Sequence, residues 1–391
     1  MSTKNTFLTM LALSTTIACS GEGPKATASD DGTNSSQNDT GGDISEEDED
    51  DTGTESDDTG GAIVDSEDDT GTIEDVQVPP TPEAFNELTL AARDDETQVF
   101  SVLASDWTSL EGEQGSTLFF QANSFSTADG GPVTGEVQIQ FIEIFDKGSM
   151  LVTDMPSIGQ RPSGEVAQLI SGGEHYVGAT KDGEALTLNS SFQLTAPADN
   201  TGGADWDMGF FRAEVSDGVA AGLDDQALWV EQNTGEADAD VEGEGDEFGI
   251  NRGEGGDGAE TNYWMLSGQF GWTNIDRWYS DPRPKTTINV TVPEGWDDTN
   301  SAVYLSYDGE PTALARMDTY DEATGYFSEH YGLIPIGLEV HLILVTESEG
   351  DWSYAIQAAT IVDGHLSSFG SVEDLIETDT DGLVNAINAL P

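Results

Sequence analysis

Ten residues, EVQIQFIEIF at 136–145, set Val137, Ile139 and Phe141 toward one side and Glu136, Gln138 and Gln140 toward the other. Alternation with period two marks a strand that has one face in a core and one in water. Similar short runs recur at 116–120, 174–179, 191–196, 208–215, 227–231, 287–292, 302–307, 340–346 and 354–360. Turn-forming stretches separate them, among them ADGGP at 128–132, KDGE at 181–184 and YDGEP at 307–311. Many short strands with no long helical pattern between them predict an all-β chain of antiparallel β-sandwiches. About 310 residues lie beyond residue 80, which is too many for one sandwich, so two are expected.

The expected division puts a first sandwich at 81–203 and a second, Ig-like one at 204–391. The Asp/Asn/Gly turn at 198–204 marks the boundary, and the acidic, glycine-rich stretch 235–262 is read as an internal loop of the second domain. That acidic stretch is the rival boundary. Near the carboxyl end, Leu375, Ile376, Leu383, Val384 and Ile387 recur at spacings of three and four, which suggests one or two short helices packed on the last sheet.

The first 80 residues cannot fold in this way. Residues 20–80 hold 20 acidic residues, one lysine and no aromatic residue, too little apolar surface to offset the entropy of ordering. They read as a self-repelling, disordered tether, and a flexible chain of that length spans roughly 45 Å. Asp-Thr-Gly recurs there at Asp39, Asp51, Asp58 and Asp69, but its flanks are acidic and polar rather than the apolar strands that hold an aspartic-protease carboxylate. Ahead of the tether, residues 1–18 carry Lys4, an apolar run from Phe7 to Leu13 and then small residues, the layout of a secretory signal. No later apolar stretch approaches the roughly 20 residues needed to span a bilayer.

The single cysteine of the chain stands at Cys19, directly after Thr16, Ile17 and Ala18. This resembles the lipobox of bacterial lipoproteins, in which the cysteine is acylated and becomes the new amino terminus. The resemblance implies lipidation of Cys19 and membrane attachment through that anchor. Ser20 in the next position implies the outer membrane. The formal net charge is −64, from 76 acidic and 12 basic residues, so nucleic acid and anionic lipid surfaces are repelled; phosphate-rich partners are poor candidates and no nucleic acid is expected.

The segment 115–171, beginning GSTLFFQANSF, and the run 268–311, beginning GQFGWTNIDRWYSDPRP, are similar to a group of secreted lipoproteins from Bacteroidetes and myxobacteria. The opening strand, the Gln121–Asn123 turn and the long strand from Val137 to Ile144 also resemble the ZU-type β-sandwich of ankyrins and netrin receptors. These resemblances imply export and architecture, with no reaction attached.

Candidate sites are few. Glu174-His175-Tyr176 and Glu329-His330-Tyr331 repeat a tripeptide, yet adjacent strand residues face opposite ways and cannot jointly clamp one metal. No HExxH, CxxC or GxSxG pattern occurs. Trp264, Trp272, Trp278 and Tyr279 crowd into 20 residues and give a weak glycan-stacking candidate; core packing is the competing explanation, with Asp276 and Arg277 as an ion pair beside it. Glu377, Asp379 and Asp381 share the spacing of half a calcium loop, but the twelfth position is Asn388 rather than glutamate. No cofactor is expected, with calcium as the alternative. The sequence is read as a non-catalytic, surface-facing envelope lipoprotein with a structural, adhesive or binding role toward an envelope glycan or protein. A glycan-binding module and an unrecognised extracellular hydrolase are the alternatives.

Overall fold

The structure, a computed structural model, describes residues 78–391 except 217–218, 226–227, 233–245, 253–260 and 330–331. The signal segment, Cys19, nearly all of the acidic tether, most of the 235–262 loop and His330 lie outside the described residues. All-β architecture is observed: the described chain is strand-rich, with three α-helices, and every anticipated strand has a counterpart. The described residues all belong to one compact unit.

Two sandwich-like lobes make up that unit. In the first, a ten-stranded sheet runs in the order Gln98–Leu103, Glu136–Ile144, Val166–Lys181, Gly271–Trp278, Gly209–Ser216, Leu228–Glu231, Ile158–Gln160, with short strands off this path. It faces a five-stranded sheet whose middle strands are Thr261–Ser267, Phe192–Pro197 and Thr117–Phe120. Phe120, Phe141, Phe192, Leu194, Tyr263 and Ile275 fill the space between them. In the second lobe, Ser301–Tyr307, Glu339–Ser348 and Asp351–Thr360 centre a five-stranded sheet, and Ile288, Val290, Val303, Leu305, Leu342 and Leu344 pack between it and a four-stranded sheet. Pairing is antiparallel except where Leu228–Glu231 meets Ile158–Gln160 and where Ile288–Thr291 meets His365–Ser368.

The boundary expected near residue 203 is corrected by this topology. Val166–Lys181 pairs with Gly271–Trp278, and Phe192–Pro197 pairs with Thr261–Ser267, so both sheets of the first lobe take strands from each side of it. The turn at 198–204 is a short 3-10 segment followed by Gly202 and Gly203 at φ of 92° and 109°, a corner between two sheets of one lobe. The second lobe's strands begin at Lys285.

A third core joins the lobes. Trp229, Trp272, Tyr304, Ile343, Trp352 and Leu383 belong to one buried cluster beneath three helices. Helix α1 (Pro82–Asp95) is not anticipated by the strand pattern; Thr81 caps it by accepting from the Ala84 amide at 3.2 Å, and proline opens its first turn. Its Phe85 meets Trp352 edge-on, with ring centres 6.2 Å apart. Asp146 caps α2 (Lys147–Val152), and Asp379 caps α3 (Thr380–Asn388), the expected carboxyl-terminal helix. This cover explains Glu136–Ile144: Val137, Ile139 and Phe141 enter the first lobe, while Ile142 and Ile144 are also buried, on the helix side.

Candidate functional site

Where Val166–Lys181 meets Gly271–Trp278, Glu174 lies opposite Asn274 and Ser171 opposite Asp276, so Gly172 and Gly173 together face only Ile275. This is a β-bulge. Gly173 sits at φ 132°, and a Cβ there would stand 2.5 Å from the Phe145 ring, so only glycine fits. The bulge collects Ser171, Glu174, Asn274 and Asp276 on the face that looks into the central core, the face that also carries Trp272. All four are buried. Ser171 Oγ donates to Asn274 Oδ1 at 2.9 Å, and Asn274 Nδ2 donates to Glu174 Oε1 at 3.3 Å. Glu174 Oε2 and both carboxylate oxygens of Asp276 accept no hydrogen bond. Burial, reinforced by Asp276, pushes the Glu174 carboxyl well above its ordinary range, and burial does the same to Asp276.

His175 points the other way, as strand alternation requires. It stacks on Phe141 at 6.1 Å, meets Phe145 edge-on at 5.4 Å, and places Nε2 3.1 Å from Ser116 Oγ. Burial lowers its pKa to about 4, against the opposing pull of Glu143. This serine-histidine contact lacks two things that acyl transfer needs: Nδ1 has no partner to orient it, and both residues are fully buried from any substrate. Glu143 instead accepts the Ser116 and Gln114 amides at 2.9 and 3.1 Å, which fixes the neighbouring turn.

A cleft of about 540 Å³ opens beside the bulge. Its walls are the 201–208 corner and the 310–312 loop, and Ser171 and Arg277 line it. The Ser171 amide donates to Thr312 O at 3.2 Å, which ties the walls together. Arg277 Nε donates to Asp205 Oδ2 at 2.6 Å and its guanidinium lies 3.9 Å from Glu310. Trp206 lines the same cleft and keeps 56% of its surface exposed. An exposed indole beside acidic and guanidinium groups can stack on an apolar ring face while hydrogen-bonding polar substituents. Sequence reasoning singled out neither Trp206 nor this cleft; an aromatic residue inside the Asp/Gly corner GGADWDMG was the available signal.

The aromatic group expected to bind glycans is not brought together. Trp272 is fully buried, against Tyr176 at 5.4 Å and beneath Arg93. Trp264 is half-buried on the outward face of the five-stranded sheet, lying across Gly249 of the neighbouring strand. Trp278 is half-buried under Arg161, 4.0 Å from its ring centre, and donates to Glu231 at 2.9 Å. Tyr279 packs edge-on against Tyr307 at 5.1 Å. Neighbours in sequence were separated because the strands carrying Trp264 and Trp272 belong to different sheets. Asp276 and Arg277 likewise face opposite ways, and Arg277 pairs with Asp205.

Glu377, Asp379 and Asp381 do not form a cation loop. Asp379 accepts the Gly382 amide at 2.8 Å as the cap of α3, and Glu377 accepts from Ser348 at 2.8 Å. Among the described residues no group of three or more acidic, histidine or cysteine side chains is poised around a metal. Nor is any described helix long and apolar enough to cross a membrane. No protein-family model matches the chain, and no curated protein matches its sequence.

Proposed function

We propose that this chain is a lipid-anchored, surface-facing envelope lipoprotein whose β-rich body acts in binding or adhesion rather than catalysis. The observation that carries it is the order of parts: a secretory-type segment ending in Thr16-Ile17-Ala18-Cys19, an acidic stretch to residue 80, and then one compact β-rich unit. Lipidation at Cys19 places the anchor at the outer membrane, and the tether holds the body clear of the surface. Intact mass and membrane fractionation of wild type and Cys19→Ala in a lipoprotein-processing bacterium test it. The wild type alone gains diacylglycerol and acyl mass and pellets with outer membranes; equal, unmodified solubility of both overturns the reading.

A glycan as the bound partner is the second reading, favoured by the exposed Trp206, which lines the same cleft as the Asp205–Arg277 pair. Retention of the body on envelope polysaccharide, lost in Trp206→Ala, is its expected signature.

A further inference from the structure

We infer that the buried group at the bulge, Glu174 and Asp276 with Ser171 and Asn274, is a calcium site. Two carboxylates enclosed in the central core, with three of their four oxygens accepting no hydrogen bond, are the observation that points to a ligand. Most buried polar atoms in folded proteins have a partner, and carboxylates left without one in an apolar layer are costly. One divalent ion supplies what is missing: its charge balances both carboxylates, and it coordinates the oxygens that receive no proton.

The donor set selects the ion. The polar groups gathered there offer carboxylate, amide and hydroxyl oxygens, which suit a hard cation. Zinc requires imidazole or thiolate here, and the adjacent His175 is turned to the opposite face, between Phe141 and Phe145. Magnesium keeps its waters and demands octahedral order, whereas calcium accepts irregular oxygen shells in a sealed place. Of the four residues only Ser171 also lines the neighbouring cleft beside Arg277. The site differs from the Glu377–Asp381 turn, whose carboxylates are already spent on a helix cap and on Ser348. This inference stands independently of the lipoprotein reading.

The test uses the full chain stripped with EDTA, then given calcium chloride or magnesium chloride, and follows thermal unfolding and equilibrium calcium binding. One tight calcium per chain is expected, with a rise in Tm of about 5 °C at saturating ion that is absent with magnesium. Glu174→Gln and Asp276→Asn, which match the shape of the neutral acids and should fold, lose the tight ion and the shift. Asp381→Asn in the carboxyl-terminal turn keeps both. The acidic stretch 20–80 is present in every variant and cancels. An unchanged Tm in the wild type, or a shift that survives in both bulge variants, overturns the site and leaves a protonated acid pair in its place.

Discussion

The two lobes solve the same packing problem with different materials. The second lobe is built on Val303, Leu305, Leu342 and Leu344 and buries two ionisable side chains besides, Glu329 and His365. The first lobe buries Glu143, Glu174, His175, Arg212 and Asp276 inside or behind its sheets. Aliphatic packing needs only volume and pattern, and many sequences satisfy it. Buried charge needs a specific partner for every atom, and where partners are missing it marks a site or a weakness. The second lobe therefore reads as support, and the first as the lobe where chemistry or binding was built in, at a cost in stability.

Four measurements sharpen or break that contrast. The largest effect should come from the core that joins the lobes. Trp272→Ala is expected to cost about 3–5 kcal/mol, and Leu342→Ala in the second lobe about 2–5 kcal/mol. Urea unfolding should show one shifted transition in each case; two separate transitions would break the single-unit picture.

Next comes acid sensitivity of the first lobe. His175 is neutral when folded and protonates only near about 4, whereas in the unfolded chain it protonates near 6.5. The unfolded state thus binds more protons between those values, so stability is full above about 6.5 and is lost as pH falls toward about 4. Urea midpoints at pH 7, 6 and 5 should fall more steeply in wild type than in His175→Gln. Parallel slopes would remove His175 from the account.

A smaller loss, about 1 kcal/mol, is expected for Asp379→Ala, which uncaps the helix that brings Leu383 and Ile387 into the shared core. Thermal unfolding checks it. The smallest is Trp206→Ala, within about 0.5 kcal/mol of wild type because the ring is largely in solvent. Loss of polysaccharide retention without loss of stability would assign the cleft to binding.

Much of the fold was legible because its information is local. Period-two alternation found the strands from Thr117–Phe120 to Asp351–Thr360, and it also put Glu174 and His175 on opposite faces. What was missed depends on partners far along the chain. Nothing near residue 203 announces that Val166–Lys181 will pair with residues a hundred positions on, and so the boundary was misplaced. For the same reason Trp264 and Trp272 looked like one cluster, and the Glu174–Asp276 pair was invisible: it exists only once a two-residue bulge sets the register. Helix α1 is different. Thr81-Pro82 at its start and Phe85, Leu88 and Ala92 along one face were in the sequence, overlooked beside the strand pattern.

The clasp around α2 carries a consequence for timing. Lys147 Nζ donates to the carbonyls of Leu390 and Pro391 at 3.2 and 3.1 Å, and the Gly148 amide donates to Asn388 at 2.8 Å, contacts that close loops of about 240 residues. Contacts so distant form slowly, after the nearer ones. A chain emerging amino end first leaves its central layer open until α3 has been made, because Leu383 and Ile387 belong to that layer. A chain cut before Thr380 is therefore expected to stay loosely packed around Trp352 even with every strand present.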